Sequence, residues 1–171
     1  MKPQTTREQA VAMLRASLRE WRYGRLRLAL EFYVPYRLFR VTCDDGRRSR
    51  DLLMAIDSVT GQLDPYQFDE LPSGEELVTI QTSQTAPEVI HEQEAQAVLE
   101  NKLKRQVFRQ GFFKLTAIKM SSERIASFHL PYWVGIYERG EQAHLEVIDA
   151  VRGKPEGAKL REVVTEWFER R

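Results

Sequence analysis

One block of the chain, Phe32-Tyr33-Val34-Pro35-Tyr36, returns 96 positions later as Phe128-His129-Leu130-Pro131-Tyr132. A second, Ile56-Asp57-Ser58-Val59-Thr60-Gly61, returns 92 positions later as Ile148-Asp149-Ala150-Val151-Arg152-Gly153. Upstream, the run from Glu8-Gln9-Ala10 to Leu14 resembles that from Glu94-Ala95 to Leu99, with the two leucines 85 apart. Three blocks in one order, with length changes confined to segments where loops belong, describe an internal duplication, and a duplicated chain builds one supersecondary unit twice. The expected division is a first α+β repeat over residues 1–84 and a second over 85–171 that also carries a C-terminal helix, the two forming one compact unit.

Each repeat reads helix first, then strands. Thr5 and Glu8 have capping-box spacing, and Val11, Leu14, Leu18 and Trp21 follow on one stripe, which predicts a helix over residues 6–22. Leu26, Leu28, Leu30 and Phe32 alternate with Arg27, Ala29 and Glu31 at the period of a half-buried strand. Residues 36–43 and 52–57 flank the turn signal Asp44-Asp45-Gly46 and predict a hairpin, with a further strand over 77–82. After a polar linker at 83–87, Pro87 opens a second helix over 88–109, followed by strands near 112–119, 125–130, 132–138 and 145–149. A closing helix after Pro155 places Leu160, Val163, Val164, Trp167 and Phe168 on one apolar face. Pro35 and Pro131 cannot donate to a ladder, so they are expected at matching bulges, strand junctions or edges. The fold class is α+β: two tandem related units, each a helix packed on an antiparallel β-sheet, plus the C-terminal helix.

Charge is segregated along the chain. Residues 1–50 hold 12 Lys/Arg against 5 Asp/Glu, residues 51–100 none against 11, and residues 101–171 hold 14 against 9. A basic segment suggests nucleic acid, but an attached segment of charge −11 repels phosphate. Neutralisation across the fold or an oligomer interface is therefore the favoured reading. It places the acidic residues of 51–100 close to basic side chains from the flanking segments. The single Cys43 forms no intramolecular disulfide, and one thiol with His91, His129 and His144 is too small a set for structural zinc. No cofactor or metal is expected. The first residues contain no apolar run of signal-peptide length, and nowhere do about 18 apolar residues run together. These features predict a cytoplasmic chain without membrane insertion.

The order of helix, hairpin and a strand ending in Asp-x-x-x-Gly resembles a PepSY-type repeat, a small α+β unit similar to the wider cystatin-like folds. Residues 132–137 with 145–153 carry the resemblance, and 36–41 with 52–61 carry it a second time. It implies a non-catalytic binding or inhibitory module, a class often found in exported or membrane-attached proteins.

Asp57 and Asp149 occupy matching places and invite a paired-carboxylate reading. The stronger reading is structural: each aspartate accepts turn N–H groups while Gly61 or Gly153 takes positive φ. His129 replaces Tyr33 of the first copy and has no nucleophile or carboxylate at motif spacing; His91 and His144 have no better claim. Arg15, Arg19, Arg22, Arg25 and Arg27 could meet phosphate, but read by default as a solvated or internally paired face. Tyr33, Tyr36, Tyr132 and Trp133, set around the prolines, together with His129, are the candidate binding surface, because aromatic rings are enriched at interface hot spots. No catalytic residue is assigned. The leading expectation is a non-enzymatic module that binds a protein or peptide partner, and a homo-oligomer is compatible with it. The competing readings are a small-ligand or enzymatic pocket between helix and curved sheet, and nucleic-acid binding through the basic segments.

Overall fold

The structure, a computed structural model, describes residues 1–44, 46, 48–64, 77–109 and 119–170. In chain order the elements are α1 (Arg7–Leu14), α2 (Ser17–Tyr23), β1 (Arg25–Asp44), β2 (Ser49–Asp57), β3 (Leu63–Asp64), α3 (Glu92–Arg109), β4 (Lys119–Arg139), β5 (Gln142–Asp149), β6 (Lys154–Pro155) and α4 (Ala158–Glu169). The fold is mixed α+β. Its strands are ordered β3-β2-β1-β4-β5-β6, and the β1–β2, β2–β3, β4–β5 and β5–β6 pairs are all antiparallel.

The prolines do not break their strands. β1 and β4 run straight through Pro35 and Pro131, where separate strands were expected on either side. The reason is where the hairpin ladders begin: the first pairs are Tyr36↔Asp57 and Tyr132↔Asp149, each one residue after its proline. Each proline only has to accept, its carbonyl taking the N–H of Ser58 (2.8 Å) or of Ala150 (3.0 Å), so the missing donor costs the ladder nothing. The strand expected over 77–82 is absent; the neighbouring chain instead makes a single parallel bridge, Tyr33↔Thr85. The strand expected over 112–119 lies outside the described residues except for Lys119, which opens β4.

Two compact units divide the chain, and they are not the halves 1–84 and 85–171. One consists of Met1–Val34, Pro72–Pro87 and His129–Arg171, the other of Pro35–Leu71 and Glu88–Phe128. In the first unit, α1 packs on the β4–β5 hairpin, and Ala10, Leu14, Leu26, Trp133, Tyr137, Ile148 and Ala150 form the core. Gly135 leaves room for this approach, since a Cβ there would stand 2.7 Å from a methyl of Leu14. The N–H groups of Gln4 and Thr5 donate to Ala150 O (2.9 and 2.8 Å), and the Trp133 indole N–H donates to Thr5 O (2.9 Å). With Thr5 committed to these bonds, the capping box forms one residue later than expected, between Thr6 and Gln9.

The helix expected over 6–22 is broken at Arg15 and Ala16. Continuing it would require the carbonyls of Met13 and Leu14 to accept from residues four positions on. Met13 O instead accepts from the Ala16 N–H (3.4 Å), three positions on, and both carbonyls take side-chain donors. The Arg19 guanidinium donates to Met13 O (2.7 Å) and the Tyr137 hydroxyl to Leu14 O (2.6 Å). Leu18 and Trp21 thereby leave the apolar stripe and become solvent-exposed.

In the second unit, α3 packs on the β1–β2 hairpin around Phe39, Val41, Ile56, Ile90, Ala95, Leu99 and Leu103. The N–H groups of Val89 and Ile90 both donate to Ser58 O (2.9 and 2.8 Å), which anchors that segment to the hairpin, and the helix opens at Glu92 rather than 88. The Arg37 guanidinium, buried, donates to Ile90 O, Ser58 Oγ (2.9 Å) and Glu88 Oε2 (2.6 Å). Arg124 pairs with Glu92 at 3.0 Å. Glu88 and Glu92 thus bring the acidic segment onto basic side chains from both flanking segments.

Candidate functional site

The residues singled out from sequence do not form a surface. Tyr33, Tyr36, Tyr132 and Trp133 are all buried, and only His129 is exposed. The Tyr33 hydroxyl donates to Glu31 (2.7 Å), and burial together with that carboxylate pushes its pKa far up. Tyr36 stacks with Phe128 at 6.3 Å between centroids. These rings flank prolines on β1 and β4, the two central strands of the order, and their aromatic bodies are buried in the core; this corrects the binding-surface expectation.

Asp57 and Asp149 each hold a turn. Asp57 Oδ1 accepts from the N–H of Val59 (2.9 Å) and Thr60 (2.6 Å), while Oδ2 accepts from Gln62 N–H (3.0 Å) and the Thr60 hydroxyl. Asp149 Oδ1 accepts from Val151 (2.7 Å) and Arg152 (2.9 Å). Gly61 and Gly153 close the turns at φ of 68° and 65°, a region that side chains resist.

The feature with the geometry of a site lies elsewhere, in the first unit, where α4 and β5 border a cleft of about 860 Å³. Val164 is fully buried and Trp167 meets Phe32 edge-on (5.1 Å), which fixes α4 and turns Phe168 toward the cleft. Ile136, Leu145, Ala143 and Ala158 add apolar wall. Period-two geometry sets His144 and Glu146 on one side of β5. Glu146 is buried, and its Oε1 meets His144 Nε2 at 3.0 Å and Arg161 Nη1 at 3.3 Å. The His144 ring also stacks on Tyr23, 3.7 Å away and 11° from parallel. Behind it, burial pushes the Tyr137 phenol up to about 12.

No family model, curated protein or solved structure matches the chain.

What the cleft can do follows from its own groups. A carboxylate-oriented histidine can take a proton from a nucleophile, but among the described residues no serine or cysteine lines the cleft. The hydroxyl of Thr165 donates to Arg161 O (2.9 Å), an ordinary helix back-bond. Among the described residues no three His, Cys, Asp or Glu side chains group to hold a metal ion. Arg161 is turned inward onto Glu146, whereas Glu162, Glu166 and Glu169 line the cleft exposed. Glu166 is paired with Arg170 at 3.2 Å, so with Glu162 and Glu169 the rim is acidic but partly neutralised over an apolar wall. Cys43, half-buried, has its thiol pKa raised by burial and then by Asp51, which disfavours a reactive thiolate. No helix among the described residues is long and apolar enough to cross a membrane.

Sequence reasoning weighed His144 and set it aside, and it missed Glu146 and Arg161. A signal existed: His144-x-Glu146 has strand alternation, but the strand was begun at Leu145, which left the histidine outside. The partner Arg161 is 15 residues from Glu146 on a different element, and no local pattern joins them.

Proposed function

We propose that the chain is a non-enzymatic binding module whose α4–β5 cleft receives a basic peptide segment bearing a large apolar side chain. The observation that carries this reading is the open cleft of about 860 Å³, with an apolar wall, three exposed glutamates and no serine or cysteine among its described lining residues. An apolar groove with charged margins is the usual receptor for an amphipathic segment, which anchors by ring or aliphatic burial and is oriented by its charges. A volume in this range also suits a small molecule, but the cleft is open to solvent rather than enclosed, which favours a peptide.

The fold supports the module reading through its repetition. Gln4 and Thr5 stand to Ala150 as Val89 and Ile90 stand to Ser58, and Trp133 reaches Thr5 O as Arg37 reaches Ile90 O. These correspondences carry the same separations of 85, 92 and 96 as the sequence blocks. We read the chain as two diverged copies of one unit, of PepSY or cystatin-like type, in which each compact unit combines the helix of one copy with the hairpin of the other. A scaffold role for the duplicated aspartates and glycines leaves function to the parts that differ, and α4 with its cleft is one of them.

The test is fluorescence anisotropy with a labelled peptide rich in Arg and carrying one Trp. Binding that is lost in Phe168→Glu and in the triple variant Glu162→Lys, Glu166→Lys, Glu169→Lys is the expected result. Binding unchanged in both variants, or catalytic turnover in an activity screen that depends on His144, would overturn the proposal.

A further inference from the structure

Leu18 and Trp21 lie on α2 and are 77% and 78% exposed. Their exposure is built into the fold. Arg19 and Tyr137 take the carbonyls that would continue α1, and α2 is turned so that Tyr23 stacks on His144 while Leu18 and Trp21 face solvent. Arg15, Arg22 and Arg25, close to them in sequence, are exposed, with Arg22 lying over the Tyr23 ring at 5.2 Å. The surface is thus an apolar pair within a basic margin. The cleft of the same unit is the converse, an apolar wall within a margin formed by Glu162, Glu166 and Glu169, which helical spacing sets along one line of α4.

Resting on the reading of the cleft as a receptor for a basic segment, we infer that its occupant is α2 of a second copy of this chain. Trp21 and Leu18 enter the apolar wall and the arginines meet the glutamates. Charge complementarity selects this partner, because the acidic margin repels acidic segments and anionic lipid headgroups alike. Donor helix and acceptor cleft are different surfaces, so the contact is head-to-tail and adds further copies or closes into a ring. One short helix in one cleft buries less than a standard interface, so association is weak, reversible and salt-sensitive.

The experiment is sedimentation velocity of the full chain from about 5 to about 500 μM, a range suited to weak contacts, at low and high salt. Wild type is expected to gain mass with concentration and to lose that gain in high salt. Leu18→Glu with Trp21→Glu, and separately Glu162→Lys with Glu166→Lys and Glu169→Lys, each weaken association at least about tenfold. The decisive arm mixes the two variants. One keeps an intact cleft and the other an intact α2, so together they form a one-to-one heterodimer that neither forms alone and that cannot grow. Circular dichroism checks that each variant is folded; if one is not, the concentration and salt dependence of wild type decides. A wild-type chain that stays monomeric throughout, or variants that mix without pairing, overturns the inference. If the labelled basic peptide still binds the cleft in that case, the occupant is another protein and the receptor reading stands. If the peptide fails as well, both fall.

Discussion

Two ion pairs of nearly equal length offer a direct test of how burial decides electrostatic worth. Arg37 meets Glu88 at 2.6 Å with side chains 7% and 45% exposed, and Arg27 meets Glu138 at 2.7 Å with side chains 54% and 49% exposed. At an effective dielectric constant of about 20, unit charges about 4 Å apart attract by about 4 kcal/mol; in bulk water the figure is about 1 kcal/mol. Glu88 is half in water, which trims the first value, and Glu88→Ala then strands a buried guanidinium with Ser58 Oγ and Ile90 O as its partners among the described residues. The expected loss is about 2–3 kcal/mol. For Glu138→Ala, solvent screening and released side-chain entropy leave about 0–0.5 kcal/mol. Urea unfolding at pH 7, followed by circular dichroism, separates the two: with a slope of about 2 kcal/mol per molar, Glu88→Ala shifts the midpoint by about 1 M and Glu138→Ala barely moves it. High salt should leave the first difference largely in place. Equal losses within about 0.5 kcal/mol would refute the argument that burial sets the value of these pairs.

Other outcomes follow from single contacts. Tyr137 is neutral in the fold, and its pKa is raised from 10 to about 12, so the stabilisation it supplies is complete below pH 10 and lost as pH climbs to 12. Unfolding free energy should fall by up to about 2–3 kcal/mol across that window, and Tyr137→Phe should flatten the slope while costing about 1–3 kcal/mol near neutrality, because Leu14 O loses its donor. Gly61→Ala and Gly153→Ala both force a side chain into positive φ, at about 1–2 kcal/mol each. Thermal melts should show Gly61→Ala as the worse, since its Cβ would stand 2.8 Å from Ile90 Cδ1, against 3.5 Å from Thr5 Oγ1 at Gly153. Asp57→Ala removes acceptors from three turn N–H groups and should destabilise by about 1–3 kcal/mol in the same assay.

What the sequence made legible was local. Alternation and turn chemistry located both hairpins, and the periodicity of Leu160 to Phe168 located α4, because these signals act between near neighbours. The break after Leu14 was hidden because its causes include Tyr137, 123 residues away. Aromatic residues beside prolines looked like an exposed edge, yet the carbonyl of each proline accepts a bond at the open end of its hairpin and the strand runs on through the core. The cleft was hidden for the same reason: His144, Glu146 and Arg161 converge only once α4 has returned to β5.

Pairing each helix with the more distant hairpin sets an order for folding during synthesis. The packing of α3 on the β1–β2 hairpin can form early, because Arg37 and Ile90 are only 53 residues apart, and the second unit is completed when Phe128 emerges. The first unit cannot form so early, since Trp133 must reach back 128 residues to Thr5 and Tyr137 must reach back 123 to Leu14. At about 5–20 residues per second, α1 waits roughly 7–27 s after leaving the ribosome before its hairpin exists. Throughout that interval Ala10 and Leu14, fully buried in the finished chain, stay in water. A nascent chain of this design is expected to need a holding chaperone on α1, and arrest-peptide force profiles should register two separate folding events, the α1 event only after β5 has emerged.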